Sequence, residues 1–469
     1  MVFPTIEFAA FFVVVLFLNW LLMPHPKAWR PFILAASYVF YGWLDWRWVL
    51  LLVGSSLVNF ASAWVIGHAP SARARKQALV AGIVFDLGLL CTFKYLNFFV
   101  SSVDDSLNTV GLGSPIPLSQ VVLPIGISFF TFQGISYIVD VYRGETKAAP
   151  LVEVAMLQAF FPHLVAGPIV RANELLPQLR SPRDPRTVLA GPGLFLIAGG
   201  LLKKTVVADE LARRIVDPVW ADPSAHSGLE VLTAIYAFAA QIYCDFSGYT
   251  DMAIGLALLL GFQLPQNFDR PYLATSLRVF WHRWHMTLSR WLRDYLYIPL
   301  GGNRKGRRRT YANLMVTMLL GGLWHGAAWT FVIWGGIHGG ALSAERALRE
   351  RFGAERMDRI PVWFKWFVTF QVVCLAWVFF RSPDLGIAFE MLGQIGAGGP
   401  SPLVTPVIVL LVVGTVVMQA TPRDWWRRAE TWFIARPGWA QGLALGLLVV
   451  AADAAVGQQG VAPFIYYRF

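Results

Sequence analysis

Apolar runs separated by short polar loops set the first reading of this chain. Segments long enough to cross roughly 30 Å of hydrocarbon at about 1.5 Å per helical residue run from Ile6 to Met23, Trp48 to Gly67, Gln77 to Val100 and Val121 to Tyr142. Pro31 to Trp43 is shorter and fits a tilted span. Further apolar runs occupy Gly191 to Val207, Leu229 to Phe262, Leu314 to Leu342, Val362 to Phe380, Leu403 to Met418 and Ala440 to Val456. Roughly ten to twelve helices are therefore expected to reach the bilayer.

The loops orient these spans. Lys27 and Arg30 follow the first, Arg73, Arg75 and Lys76 the third, and Arg143 and Lys147 the fifth, whereas Asp104 and Asp105 follow the fourth with no base nearby. Basic loops stay cytoplasmic, so an extracytoplasmic N-terminus satisfies all of them. Alternation then fails: Leu151 to Val170 should end outside, yet Arg171, Arg180, Arg183 and Arg186 follow it. Pro162 and the Gly167-Pro168 pair interrupt the run, and broken backbone at membrane depth survives only where protein or a watery cavity satisfies it. The region reads as re-entrant. From Arg270 to Arg309 Arg and Trp occur together, which fits helices lying at the interface, and the three-residue spacing of His282 and His285 predicts that both share a helical face.

Composition strengthens the membrane reading. Of 469 residues 56% are hydrophobic and only 14% charged, with a mean hydropathy of +0.53, too little polar surface to coat several soluble cores. There are 20 Trp, and pairs such as Trp46 and Trp48 or Trp425 and Trp426 sit where apolar runs end, as headgroup anchors do. The net charge of +11 resides in short loops, with no contiguous basic domain of the kind that binds nucleic acid. Cys91, Cys244 and Cys374 lie singly in apolar stretches and suggest neither a disulfide framework nor a cysteine zinc site. Ile6 to Met23 lacks a basic lead and a small-residue cleavage site, so it reads as a retained span. With no fixed-period repeat, residues 1–469 are read as a single polytopic membrane domain with a catalytic core at approximately 121–343.

Gly321-Gly322-Leu323-Trp324-His325-Gly326 places an imidazole in an otherwise apolar run. Intramembrane ionisable groups are costly and line cavities or pathways, and an imidazole suits proton transfer near neutrality, so His325 is a candidate general base; packing between helices is the structural alternative. Phe280-Trp281-His282-Arg283-Trp284-His285, followed by Ser289, Arg293 and Asp294, gathers imidazoles and guanidiniums. His282, His285, His325 and His338 raise a metal hypothesis, but no His-Glu-x-x-His run supports it, and none is expected. Asp245 and Asp251, inside one apolar stretch, require partners and could orient a histidine, pair with arginine or lock helices together. The cations of Gly301 to Arg309 suit a phosphate or, more simply, anionic lipid.

Leu123-Pro124-Ile125-Gly126-Ile127-Ser128-Phe129, Ala166-Gly167-Pro168-Ile169-Val170-Arg171, Trp284-His285, Trp291-Leu292-Arg293-Asp294-Tyr295-Leu296-Tyr297-Ile298-Pro299-Leu300-Gly301-Gly302-Asn303-Arg304 and Leu323-Trp324-His325-Gly326 together resemble the membrane-bound O-acyltransferase (MBOAT) family. The likeness is to its alginate O-acetylation membrane subunits first and its teichoic-acid D-alanylation subunits second, and it extends to the closing Pro463-Phe464-Ile465-Tyr466-Tyr467-Arg468-Phe469. It implies an all-α integral membrane fold, a ring of transmembrane and re-entrant helices around a central tunnel in which a cytoplasmic acyl thioester meets an acceptor from the other side.

The same resemblance implies that His325 is the base and His285 its partner or transition-state stabiliser, with Trp284, Trp324, Arg293, Asp294, Asp245, Asp251 and His282 in binding or supporting roles. The family usually has arginine where this chain has His282, which puts any fixed role for that position in doubt. No bound cofactor is implied. Acetyl-CoA is the expected acyl donor, a carrier protein's phosphopantetheine thioester the alternative. The expected acceptor is the hydroxyls of an exopolysaccharide such as alginate, reached directly or through an extracytoplasmic acetyltransferase partner within a secretion complex in the bacterial inner membrane. A D-alanyl-type transferase, a non-catalytic scaffold and a transporter are the competing readings; a transporter predicts two matching halves, and the Trp-His runs have no counterpart elsewhere in the chain.

Overall fold

A computed structural model describes residues 1, 3–109, 123–181, 183–456 and 464–465. Val121 and Val122 of the fifth expected span, and Pro463 and residues 466–469 of the closing motif, lie outside the described residues. Among the described residues all regular structure is helical. Among the described residues, five helices are long and apolar enough to cross a membrane on their own: Arg47–His68, Ala72–Thr109, Ala190–Ala221, Gly228–Leu259 and Val362–Arg381. A sixth span is possible by length if Pro406–Ala420 is joined to Arg423–Ile434, but the two meet at 94°. Ile6–Leu22 is apolar but shorter. This is an integral membrane protein that crosses the bilayer several times.

The chain divides into two compact units. The first comprises Met1–Val2, Glu7–Leu189 and Ala257–Leu264. Its centre is Ile127–Arg143, in which every side chain from Ile127 to Ile138 is buried, so this helix is surrounded on all faces. Gly134 makes that possible. A Cβ there would lie 2.4 Å from Asn59 Nδ2 and 2.8 Å from both Asp86 Oδ2 and Gln158 Nε2, so only glycine lets the polar side chains of neighbouring helices close over the backbone. Ser55 and Asn59 donate to the Asp86 carboxylate at 3.1 Å each, giving a buried acid the hydrogen bonds it needs among apolar helices.

The re-entrant expectation has a clear structural counterpart here. Leu151–Ala159 is only nine residues, about 14 Å, before Phe160 leaves helical geometry ahead of Pro162. Phe161–Leu164 makes one turn, and Ala172–Arg180 follows, its first turn capped by Glu174 accepting from the Arg171 backbone N–H at 3.0 Å. Glu153 near the start of this segment pairs with Arg180 at its end, 2.9 Å apart, and with Arg30 at 3.4 Å. These ion pairs bring the two ends of the broken segment together, as a re-entrant path requires.

The second unit comprises Phe3–Ile6, Ala190–Leu256 and Pro265–Phe469. Ala190–Ala221 and Gly228–Leu259 cross at glycines: a Cβ on Gly200 would lie 2.5 Å from the Gly248 carbonyl oxygen, and one on Gly255 2.5 Å from that of Gly193. Small residues let membrane helices approach backbone to backbone, where packing and polar pairs supply the association energy. A π-turn at Lys203–Ala208 interrupts the first of these helices, and such turns recur at functional positions.

Candidate active site

The apolar run Leu314 to Leu342 does not form one span. It is a helical hairpin, with Arg307–His325 rising to its tip and Trp329–Phe352 running back. Glycines bring the two backbones together: a Cβ on Gly322 would lie 2.2 Å from the Phe331 carbonyl oxygen, one on Gly335 2.4 Å from that of Met318, and one on Gly339 2.9 Å from Met315 Sδ. These pairs run in opposite directions, which defines the antiparallel arrangement. Gly326 is extended at φ −158° and ψ 149°, and the Phe331 ring occupies the space a side chain there would need, closing the tip.

His325 is thus the last residue of a helix at a turn, not a mid-span residue, and it is 3% exposed. Its ring is edge-on to Trp324, Trp334 and Phe380, with centroids 4.9, 5.0 and 5.3 Å away. This box of rings excludes bulk water, and electrostatic interactions strengthen where water is absent. His285, 0% exposed, has its ring centroid 6.0 Å from that of Trp324, so both imidazoles contact the same indole. Phe246 closes on His285 at 4.7 Å.

His282 and His285 do not share a helical face. The helix Leu277–Arg283 ends before Trp284, His285 takes left-handed φ 41° and ψ 55°, and a new helix, Met286–Leu292, begins. This break turns His285 into the interior and leaves His282 exposed. A non-glycine residue in this conformation is strained, and the surroundings must hold it there. Trp284, also buried, stacks with Phe280 at 5.6 Å and meets Trp377 at 5.1 Å, supporting the break from beneath. His338 accepts a hydrogen bond from Trp281 Nε1 at 3.3 Å and contacts Trp334 at 4.7 Å, extending the aromatic cluster behind His325.

The acidic residues take other partners. Asp245 meets Lys204 Nζ at 2.7 Å, and the same lysine, 2% exposed, reaches Asp209 at 2.8 Å. Asp251 pairs with Lys203. Of the three expected roles, locking helices together is the one these lysine pairs support, since they join Ala190–Ala221 to Gly228–Leu259. The second Asp245 oxygen accepts the Ile465 backbone N–H at 2.8 Å, and Phe464 sits 5.5 Å from Phe246, the ring that closes on His285. Arg293 and Asp294 bind one another at 2.6 Å, Arg293 facing outward. At the start of the Arg307–His325 helix, Arg307 pairs with Glu350 at 2.8 Å. Hydrogen bonds from Arg346 and then Tyr311 hold the exposed Glu350 carboxyl below the usual carboxylate range.

Asn267, Lys203, Lys204, Trp334 and Phe380 were not singled out by the sequence reading. For Lys203 and Lys204 a signal existed, since two lysines in an apolar run require anions. Asn267 acts across an 18-residue separation, beyond any helical periodicity.

Arranged in this way, a buried imidazole in a dry aromatic box with a second imidazole close by can move a proton during acyl transfer. A sequence model of the membrane-bound O-acyltransferase family matches residues 150–382, which include both imidazoles. Similar proteins include "Probable alginate O-acetylase AlgI" of Pseudomonas putida, 40% identical over 93% of this chain and 94% of the relative. Its namesake in Pseudomonas aeruginosa is 44% identical over 82% and 74% respectively. The chain belongs to the membrane-bound O-acyltransferase family. The peptidoglycan O-acetyltransferase of Helicobacter pylori is also similar, 36% identical over 80% of this chain and 75% of that protein. As a member of this family the protein is an O-acyltransferase, and its helical, multi-pass architecture is the family's.

Proposed function

We propose that this enzyme moves an acetyl group from a cytoplasmic thioester to hydroxyls of an exopolysaccharide such as alginate, directly or through an extracytoplasmic partner acetyltransferase. The relatives named alginate O-acetylase support the choice of acyl group and acceptor. Acetyl-CoA is the proposed donor, ahead of a carrier protein's phosphopantetheine thioester. The proposed site is the bacterial inner membrane, with an extracytoplasmic N-terminus and the catalytic core within approximately residues 121–343.

One observation carries the mechanism: His325, buried at the tip of a tightly packed hairpin, is boxed by Trp324, Trp334 and Phe380. A hydroxyl is a weak nucleophile until a base takes its proton, and His325 is that base. The oxygen attacks the thioester carbonyl, the carbon–sulfur bond breaks, and the proton held by the imidazole passes to the departing thiolate. His285 is its partner on the acceptor side. Holding donor and acceptor in one dry site makes the attack effectively intramolecular, and rigid elements held by glycine contacts and aromatic packing give the precision that requires.

The test uses protein in nanodiscs with radiolabelled acetyl-CoA, alginate oligosaccharides and, in a parallel arm, the partner acetyltransferase. Label transfer by wild type and its loss in His325→Ala, with an unchanged elution profile and melting transition, supports the reading. Equal transfer by both proteins removes His325 from the chemistry.

A further inference from the structure

Asn267 is fully buried on the loop that precedes the helical break, and that loop runs alongside the break as a short extended pair. The Asn267 carbonyl accepts from the Met286 N–H at 2.9 Å, and the Asp269 N–H donates to the Arg283 carbonyl at 3.0 Å. The Asn267 side chain lies against His285. Its Oδ1 accepts from the Thr287 backbone N–H at 3.2 Å and from the Thr287 hydroxyl at 2.9 Å, and it lies 3.2 Å from His285 Nδ1.

The backbone N–H of Thr287 can only donate, so the atom it meets must be the amide oxygen and not the amide nitrogen. A ring nitrogen that shares this oxygen must carry a hydrogen. Neutral imidazole has one N–H, and if that is Nδ1–H, the lone pair sits on Nε2. His285 Nε2 is buried and has no hydrogen-bond partner among the described residues, and neither has Asn267 Nδ2. A buried polar atom without a partner calls for an explanation, and a catalytic or binding role is one.

We infer that Asn267 is a positioning residue: it fixes His285 as the Nδ1–H tautomer, so that Nε2 enters acyl transfer as a hydrogen-bond acceptor for a hydroxyl of the acceptor molecule. This rests on the acyl-transfer reading above and gives His285 a definite role within it. Neutral His285 has no hydrogen on Nε2 to offer a developing oxyanion; it holds the hydroxylated acceptor, while His325 takes the proton of the attacking oxygen. A cap for the Met286–Leu292 helix would need only the two bonds from Thr287. The contact with Nδ1, made to a histidine in strained left-handed geometry, gives Asn267 its second task.

The test compares wild type, Asn267→Ala, Asn267→Asp and His285→Ala, each in nanodiscs with saturating acetyl-CoA and varied alginate oligosaccharide, across pH 5 to 9. Loss of the acceptor oxygen in Asn267→Ala should lower kcat/KM for the oligosaccharide between about ten- and a hundredfold, as loss of a group that orients a histidine does elsewhere. Asn267→Asp keeps an oxygen in place and should recover most of that loss. Its negative charge also stabilises the imidazolium, in which Nε2 is no longer an acceptor, so the acid limb of its pH profile should move to higher pH. A purely structural asparagine would change the melting transition without moving that limb. If His285→Ala abolishes transfer while both Asn267 variants match wild type in rate and pH profile, the inference falls and the acyl-transfer reading stands. If His285→Ala transfers as wild type does, the role given to His285 falls with it. Equal loss in both Asn267 variants with an unmoved limb also overturns the inference.

Discussion

Replacing Lys204 by methionine tests how the second unit holds its charges. Lys204 is 2% exposed, with Asp245 and Asp209 2.7 and 2.8 Å from its ammonium. At an effective dielectric of about 20, each contact contributes roughly 6 kcal/mol of attraction. Desolvating three ions costs several kcal/mol apiece, so the triad as a whole contributes little net stability. The asymmetry appears on deletion: Lys204→Met removes both attractions while two carboxylates stay buried, and the expected loss is about 3–5 kcal/mol. Neutralising the acids in the same background, as Lys204→Met with Asp209→Asn and Asp245→Asn, removes the buried charge and should recover most of it. Asp245→Asn keeps a side-chain oxygen for the Ile465 N–H, so the C-terminal contact should survive in the triple variant and be lost with Asp245→Ala. The assay is unfolding in mixed micelles by titration with sodium dodecyl sulfate, followed by tryptophan fluorescence. A single variant within about 1 kcal/mol of wild type, or a triple variant less stable than the single, would refute the reasoning.

Three further outcomes follow from the site. His325→Gln, which keeps hydrogen-bonding capacity but cannot hold a transferred proton, should lower acetyl transfer by at least about a hundredfold without shifting the melting transition. Gly322→Ala sets a methyl 2.2 Å from the Phe331 carbonyl oxygen and must part the hairpin; displacing a catalytic group by about 1 Å can cost about a hundredfold in rate, whereas Gly340→Ala, whose nearest neighbour is Met315 Cε at 4.0 Å, should transfer as wild type does. His282→Arg changes an exposed side chain and should leave the rate within about twofold and the stability within about 0.5 kcal/mol, as substitutions away from buried features do.

The long apolar runs and the break at Pro162 were legible because hydrophobicity, loop charge and proline each act locally. His325 was legible for the same reason: an imidazole among apolar and small residues is costly wherever the backbone takes it. The partners of Asp245 and Asp251 were not legible by type, since any cation satisfies a buried carboxylate and only the glycine-lined helix crossing brings Lys203 and Lys204 into place. The tautomer of His285 depends on a side chain in another loop, so no periodicity carries it.

The hairpin at Leu314 to Leu342 shows why hydropathy misplaced His325 while singling it out. A hydropathy window registers how apolar a run is, and a buried hairpin is as apolar as a span. The signal for a turn lay in the glycines: Gly322 on one side of Gly326 and Gly335 and Gly339 on the other are the positions at which the two antiparallel arms approach closely. The hairpin explains the small residues and also why the imidazole stands at the end of a helix. There the backbone can open toward the site, and Trp324 and Trp334, one from each arm, can flank the ring.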